Sequence, residues 1–230
     1  MRVVREVVLR CAEHRGWTSF HAAAAALAGH GVLIAGPSGA GKTTVLTALA
    51  AHHGADLIAS DRALTTADAG AVVGVPISVR IGGGTLSALN PRQGLPGSHR
   101  PPDTFGSVRK AALTPHAFAR VFSVRVREMA PLQLVVIPRL RDDDRSLSSH
   151  VPGAAQARAA LATACCTPHD EDWREPWFAD RTRTVDDLTR RAADTLDRLI
   201  ATVPAMTITA GVHRPGLLER IADAVTRRLP

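Results

Sequence analysis

The stretch of sequence that decides the fold is a glycine loop set between a strand-like run and a helix-like run. The loop consists, in order, of Gly36, Pro37, Ser38, Gly39, Ala40, Gly41, Lys42, Thr43 and Thr44. It fits the phosphate-loop (Walker A) pattern G-x-x-x-x-G-K-[ST] at every fixed position. The apolar run Val32–Ala35 precedes the loop, and the segment Val45–Ala51 follows it. Strand, loop and helix in that order are the context in which this motif binds phosphate, so the sequence predicts a P-loop nucleotide site.

Each part of the loop has a predicted task in holding a nucleoside triphosphate. Successive backbone N–H groups turn inward around phosphate oxygens, and the helix N-terminus adds partial positive charge. Lys42 is expected to reach the β- and γ-phosphates, and the Thr43 hydroxyl is expected to hold Mg²⁺. Of the 28 basic side chains only Lys42 and Lys110 are lysines, and a compact ammonium suits a phosphate contact. ATP and Mg²⁺ are therefore the predicted cofactors.

Length and composition indicate one α/β domain that extends over residues 1–230. A hydrophobic content of 45% can supply its core. No apolar run approaches the ~20 residues that a membrane span requires, and the first residues lack the apolar region of a signal peptide. We therefore expect a cytoplasmic protein that has no membrane partner.

The positive charge of the chain is concentrated in one window. The formal net charge is +7, and the window from Arg62 to Arg127 contains nine basic and two acidic residues. Such a window can attract an acidic peptide or a phosphorylated molecule, or it can be a solvated arginine-rich surface. Nucleic acid is disfavoured because no recognised nucleic-acid module is present and aromatic residues are few.

Periodicity and turn residues predict a mixed, mainly parallel sheet with flanking helices. Beyond the loop, the predicted strands are Ala55–Ser60, Ala63–Thr66, Ala71–Val75, Pro76–Arg80, Leu132–Ile137 and Ala205–Ala210. The predicted helices are Val3–His14, Pro115–Phe122, Ala154–Ala164, Thr184–Ala201 and Pro215–Leu229. The glycines of Ile81–Thr85 are expected to break the strand before them. Asn90–Ser107 is rich in proline and glycine and predicts a mobile loop.

Two segments near the N-terminus need separate treatment. In the first helix, Val4, Val7, Val8 and Cys11 have helical spacing and form its predicted apolar face. Trp17–Leu27 is ambiguous, because its five consecutive alanines favour helix while the Gly29-His30-Gly31 turn before the next strand favours a β-hairpin.

A P-loop also needs a carboxylate for the metal, usually at the end of a neighbouring apolar strand. The run Leu132–Ile137 has no acid after it until Asp142, whereas Asp61 follows its strand directly. Asp61 is therefore the predicted carboxylate, and its role is that of a metal ligand or a general base. Thr43 is the other predicted ligand of the metal. Arg80, Arg139 and Arg141 lie at or just past strand ends, where a guanidinium can stabilise transferring phosphate, although each can equally be a surface residue.

At this point the sequence resembles the catalytic domain of the HPr kinase/phosphorylase family, which shares its nucleotide site with ATP-dependent phosphoenolpyruvate carboxykinases. The resemblance is carried by Phe20-His21, the hairpin into Val32–Ala35, the phosphate loop and Leu57-Ile58-Ala59-Ser60-Asp61. It implies that Ala22–Leu27 is a strand. It also implies that His21 and Asp61 act beside Lys42 and Thr43 as catalytic residues.

The departures from that family shift the expected acceptor. Arg62 stands where the family usually has a second aspartate, and Val79–Gly84 replaces its glutamate-containing Arg-Gly signature. HPr is therefore not the expected substrate. The sequence predicts a Mg²⁺/ATP-dependent kinase that acts on a Ser or Thr hydroxyl of a peptide or protein, with an acidic or phosphorylated acceptor. A small-alcohol kinase and a P-loop ATPase or nucleotide switch remain open, as does a homo-oligomer.

Overall fold

The computed structural model describes residues 2–75, 77–89, 104–105, 109–169 and 180–230. The predicted mobile loop Asn90–Ser107 lies outside the described residues, apart from Thr104 and Phe105. Within the described ranges, no helix is long and apolar enough to cross a membrane.

The described chain forms strands and helices with the following bounds. The strands are β1 (Thr18–Phe20), β2 (Ala22–Leu27), β3 (His30–Ala35), β4 (Asp56–Ala59), β5 (Ala63–Thr65), β6 (Ala71–Gly74), β7 (Val79–Gly82), β8 (Lys110–Leu113), β9 (Met129–Arg141), β10 (Ser148–His150) and β11 (Ala205–Gly211). The helices are α1 (Arg2–His14), α2 (Lys42–His53), α3 (Gly83–Leu89), α4 (Pro115–Phe122), α5 (Ala154–Ala164), α6 (Val185–Thr202) and α7 (Leu217–Thr226).

The large sheet is mixed, as predicted, and has nine of the described strands. Its central part has the order β10-β11-β9-β3-β2-β4, and the first residues of β9 also join the antiparallel series β1-β5-β6. Among the described pairs of this sheet, β3–β9 and β9–β11 are parallel and the other six are antiparallel. The prediction of a mainly parallel sheet is therefore wrong. Strand β2, which runs back between β3 and β4, supplies two of the antiparallel pairs.

The ambiguous alanine run is a strand, and the β-hairpin that leads into the phosphate loop is confirmed. β2 and β3 pair antiparallel from Ala22↔Ala35 to Leu27↔His30. The two-residue turn between them has Ala28 at φ 50° and Gly29 at φ 88°, which matches the twist of a tight hairpin. β2 has a hydrogen-bonded neighbour on each side, so tertiary pairing overrides the helix propensity of alanine.

The alternation of side chains along β2 divides the core into two layers. Ala23 and Ala25 face a layer that includes α2 and α7. Ala22 and Ala24 face a second layer that includes α5 and α6. Because alanine is small, the backbone of the sheet can lie close to helices on both of its faces.

Two predictions about strand ends need correction. β9 does not end at Ile137 but runs to Arg141, because β11 pairs with it from Val135 to Arg141. The glycines after β7 do not simply break the strand; they begin helix α3 at Gly83.

The first helix is present, but its predicted apolar face is not buried. Val4 and Val7 are exposed, and the buried side chains of α1 include Glu6, Leu9 and Arg10. Leu9 packs on the β5–β6 side of the molecule, while the Glu6 and Arg10 side chains pair with each other. The buried face of α1 is therefore not the predicted one, and it includes a polar pair.

Candidate active site

Three chain segments bring the predicted site residues to one edge of the sheet. β3 ends at Ala35 and enters the phosphate loop there, and β2 begins opposite it at Ala22, directly after His21. β4 ends at Ala59, which pairs with Ala24 of β2, so Asp61 leaves the sheet at the same edge. The antiparallel turn of the hairpin therefore places the start of β2 beside the ends of β3 and β4.

The phosphate loop is held in shape by its own backbone and by β9. The Ala40 N–H donates to the Pro37 carbonyl at 3.2 Å, and the Leu140 N–H donates to the Ala40 carbonyl at 3.1 Å. Gly41 precedes α2 with φ 102°, and a Cβ on it would lie 2.5 Å from the Leu140 side chain. Only glycine fits there without displacing Leu140. Leu140, which the sequence analysis did not single out, is therefore the residue that closes the loop from β9.

No side chain caps the N-terminus of α2, so its first backbone N–H groups point out of the helix with no side-chain acceptor. Such N–H groups and the helix dipole favour an anion at this position. An anion at this position would be the phosphate group that residues 36–44 are predicted to bind.

Lys42 is buried against this loop. Its Nζ donates to the Gly36 carbonyl at 2.7 Å and to the Pro37 carbonyl at 2.9 Å. An ammonium has three donors, so one remains to meet a phosphate oxygen. Burial lowers the pKa of Lys42 from 10.5 to about 8; the Asp61 charge opposes this shift, and the Arg62 and Lys110 charges add to it. At neutral pH the side chain is still mostly protonated.

The threonines at the start of α2 are tied to their surroundings. The Thr43 carbonyl accepts from the Thr47 hydroxyl at 2.6 Å. The hydroxyls of Thr44 and Thr85 are 3.0 Å apart, which joins α3 to the phosphate loop. Thr85 was not predicted as a site residue, and nothing in its sequence context distinguishes it from other threonines.

Asp61 lies between His21 and Arg62. His21 Nε2 is 3.0 Å from Asp61 Oδ1, and Arg62 Nη1 is 2.9 Å from Asp61 Oδ2. The side chain of Arg62 is 5% exposed, whereas that of Asp61 is 46% exposed. The structure thus brings His21 and Asp61 together, as the resemblance implied, and adds a buried guanidinium as the second partner of the carboxylate.

The charge of Asp61 is set by these neighbours. Burial alone would raise its pKa, but the hydrogen bond from His21 and the positive charges of Arg62, His21 and Lys42 lower the pKa to about 2. The carboxylate is therefore ionised at neutral pH and remains half open to solvent. It can accept a hydrogen bond from a hydroxyl or bind a cation.

The three candidate arginines are not gathered at this cluster. Arg80 is exposed on β7. Arg139 and Arg141 are exposed near the end of β9 and alternate with Leu140, so they extend from the strand face opposite to the one that closes on Gly41. The charge of Arg141 helps to lower the pKa of Asp143, together with contacts from Arg145.

Strand β9 carries no carboxylate at the level of the loop. Ile34 of β3 pairs with Val136, so the residues that lie beside the loop are Pro138 to Leu140. Asp142 comes later, and its carboxylate is 2.6 Å from His213 Nε2 in an exposed pair. Asp61, reached through β2 and β4, is the carboxylate whose charge acts on Lys42.

Within the residues that the structure describes, no group of three or more His, Cys, Asp and Glu side chains could hold a metal ion. A Mg²⁺ ion needs no such group, because it uses one or two protein oxygens and completes its shell with water and substrate phosphates. Thr43 and Asp61 are the oxygen donors that the sequence predicted for it.

Comparisons with known proteins add a distant likeness. No family model matches the chain, and no curated protein matches it. Among solved structures, the chain is similar to the Hpr(Ser) kinase/phosphatase from Coxiella burnetii, with a TM-score of 0.39 and 14% sequence identity. The match covers 91% of this chain and 88% of the other. At that score the likeness assigns neither a role nor site residues to this chain.

Proposed function

We propose that this protein is a kinase that uses ATP and Mg²⁺ to transfer the γ-phosphoryl group to a hydroxyl, a Ser or Thr of a peptide or protein. The observation that carries the proposal is the position of Asp61. An ionised carboxylate, fixed by His21 and Arg62, stands at the same sheet edge as the phosphate loop and Lys42. A phosphate cradle beside a fixed carboxylate is what transfer to a hydroxyl requires.

The loop side of the site, formed by residues 36–44, would bind the phosphate donor ATP. Backbone N–H groups of the loop and of the first turn of α2 would surround the β-phosphate, and the remaining donor of Lys42 would meet a β- or γ-phosphate oxygen. When bound, Mg²⁺ would neutralise charge on the β- and γ-phosphates, with the Thr43 hydroxyl as its protein ligand, which leaves Asp61 to the acceptor. Preorganised donors of this kind stabilise charge in the transition state more than in the ground state.

The carboxylate side of the site, formed by His21, Asp61 and Arg62, would position the acceptor hydroxyl. The acceptor oxygen forms a bond to the γ-phosphorus while the bond from that phosphorus to the bridging oxygen of ADP breaks, and the hydroxyl proton passes to Asp61. A carboxylate with a pKa of about 2 is a weak base. In a loose transition state the hydroxyl loses its proton late, so orientation of the acceptor by Asp61 matters more than basicity. The hydrogen bond from His21 fixes that orientation.

A second candidate function is favoured by the exposure of Asp61, which is 46% for its side chain. Water can reach this carboxylate as easily as an alcohol can, so the same site could serve an ATPase or nucleotide switch that acts on a partner protein. A small alcohol metabolite as acceptor would use the same groups. The three functions differ in the fate of the γ-phosphate.

The test follows that fate directly. Purified protein is incubated with Mg²⁺ and ATP labelled in the γ-phosphate, alone, with serine- and threonine-containing peptide pools, and with glycerol as a small alcohol. We expect little free phosphate without acceptor and label on the peptides when they are present. Lys42→Ala serves as the inactive control. Rapid release of free phosphate with no labelled peptide or alcohol would contradict the kinase and support the ATPase.

A further inference from the structure

A two-stranded ribbon beside the loop presents two cations on one face. β7 pairs antiparallel with β8, with Val79 opposite Leu113 and Gly82 opposite Lys110. Val79 and Leu113 are buried in the core layer of α2. Arg80 and Lys110 are exposed, and alternation along the strands places them together on the other face.

The ribbon is attached to the candidate site at both ends. Next to Asp61, the Ser60 hydroxyl donates to the Ser78 carbonyl at 3.0 Å, just before β7 begins. After β7, the Thr85 hydroxyl lies 3.0 Å from that of Thr44. Strand β7 lies between these two hydrogen bonds, so it extends from the carboxylate side of the site to the loop side.

The two cations are arranged to meet one anion. Arg80 pairs with Ala112, two residues from Lys110, and such diagonal neighbours on one face have Cα atoms roughly 7–8 Å apart, within reach of long side chains. The positions between them are small: Ala112 is exposed, and a Cβ on Gly82 would meet no atom within 4 Å. Among the described residues, apart from the two chain neighbours of Gly82, no side chain lies within 4 Å of the Cβ position over Gly82.

The cations of this face have no acidic partner among the described residues. Within the described ranges, neither Arg80 nor Lys110 forms a hydrogen bond or ion pair with another described residue. The charge of Lys110 also extends to the loop, where, after burial, it is among the groups that lower the pKa of Lys42. Like charges held this close disfavour each other unless an anion lies between or beside them.

We propose that Arg80 and Lys110 form an anion-binding subsite for the acceptor peptide, where they hold a carboxylate or phosphate group while a neighbouring hydroxyl lies at Asp61. This inference rests on the proposed kinase function and gives its acceptor a chemical class, a serine or threonine peptide with a negative charge near the hydroxyl. The donor triphosphate already has the loop and Lys42. A guanidinium and an ammonium both suit oxyanions, and the guanidinium can bind in a bidentate manner.

The test measures peptide binding apart from catalysis. Three pools of 12-residue peptides share a central serine and carry glutamate, phosphoserine or glutamine at flanking positions. Their affinities are measured by fluorescence anisotropy, with and without Mg²⁺ and a non-hydrolysable ATP analogue. Wild-type protein is compared with Arg80→Gln, Lys110→Gln and the double variant. Arg120→Gln, which removes an exposed cation of the same basic window on α4, is the matched control.

We expect wild-type protein to bind the glutamate or phosphoserine pool at least about tenfold more tightly than the glutamine pool. The double variant should lose this preference, Lys110→Arg should keep it, and Arg120→Gln should bind as wild type does. The pool that binds more tightly identifies the anion as carboxylate or phosphate.

Three outcomes would overturn the subsite. The first is equal binding of all three pools by wild-type protein. The second is a loss of the preference for the acidic pools in Arg120→Gln as large as that in the double variant. The third is a loss of nucleotide affinity without a loss of peptide affinity in Lys110→Gln. The last would assign Lys110 to the donor triphosphate. Failure of the kinase function is distinguishable, because it appears as absence of nucleotide binding or of label transfer, whereas the anion preference is read in the nucleotide-free arm.

Discussion

The two sides of the candidate site are built in different ways. The loop side comes from one continuous segment, and most of its donors are backbone N–H groups and one buried ammonium. The carboxylate side is assembled from His21 before β2 and from Asp61 and Arg62 after β4, and its ligand-facing atoms belong to side chains. The loop side is enclosed by β9, whereas the Asp61 carboxylate is half open.

This difference teaches how the two substrates would be recognised. Backbone donors fixed by a local motif suit an invariant ligand such as a triphosphate. Side chains that meet from distant parts of the sequence can be exchanged one at a time, so they suit a ligand that differs between proteins. We therefore expect changes on the loop side to abolish donor binding and changes on the carboxylate side to affect transfer.

The largest effect is expected from Lys42→Ala. The substitution removes the charge at the β- and γ-phosphates together with two hydrogen bonds to the loop carbonyls. Phosphoryl transfer should fall by more than about a hundredfold, or ~3 kcal/mol of transition-state stabilisation. Transfer is measured with labelled ATP and the best peptide pool, and circular dichroism checks folding. A folded variant that keeps more than about a tenth of the activity would refute the role of the loop side.

A pair of glycine substitutions tests how closely β9 encloses the loop. Gly41→Ala places a Cβ 2.5 Å from Leu140 at φ 102°, whereas Gly39→Ala, at φ 80°, meets no atom within 4 Å. Both variants carry strain of about 1 kcal/mol, but only Gly41→Ala adds overpacking of about 1–3 kcal/mol. ATP affinity, measured by calorimetry, should fall about tenfold or more in Gly41→Ala and much less in Gly39→Ala. Equal losses would show that Leu140 does not matter.

The lowered pKa of Lys42 predicts a pH limit for donor binding. Above about pH 8 the free protein loses this proton, so kcat/KM for ATP should be about tenfold lower at pH 9 than at pH 7. Bound phosphate favours the charged lysine, so ATP binding near pH 8 should be accompanied by proton uptake. For the same reason kcat should begin to fall at a higher pH than kcat/KM does. Calorimetry in two buffers of different ionisation enthalpy measures the uptake. Lys42→Arg, which keeps its charge, should show none; uptake in that variant would exclude Lys42 as the source.

The same shift has a consequence for stability, with the sign fixed by linkage. Between about pH 8 and the unfolded value of 10.5, the unfolded chain holds a proton on Lys42 that the folded chain has released. The contribution of Lys42 to the free energy of unfolding therefore rises with pH between these two values. The charged lysine is thus a cost to the fold at neutral pH, as is common for groups kept for binding.

The sequence predicted the loop side well because its motif is local. Residues 36–44 specify their own turn, and α2, α4 and α5 begin or end within a few residues of their predicted bounds. The hairpin strand β2 was predicted only through the family resemblance, since five alanines carry no β signal. Its strand conformation comes from β3 and β4 on its two sides, and tertiary pairing of this kind is not visible in a local pattern.

The error at β9 has a specific cause. Pro138 marks a strand end by rule because it lacks an N–H. The Leu140 N–H points to the loop, and nitrogens two residues apart in a strand face the same side, so the Pro138 nitrogen also faces the loop. The pairing of β9 with β3 has already ended before Pro138, at Ile34↔Val136. The missing donor therefore costs no bond to β3, and the strand continues along β11. As a result, Arg139 and Arg141 lie within the strand and not beyond it.

The most direct test sets a small effect on donor binding against a large effect on transfer, and it addresses the central claim that Asp61 serves the acceptor and not the donor. In Asp61→Asn, calorimetry with Mg²⁺ should give an ATP affinity within about threefold of wild type, because the loop and Lys42 still hold the phosphates. In the same preparation, transfer to peptide should fall by about 10²–10⁴-fold. Unchanged transfer, or a loss of Mg²⁺-dependent ATP affinity as large as the loss of transfer, would contradict the account.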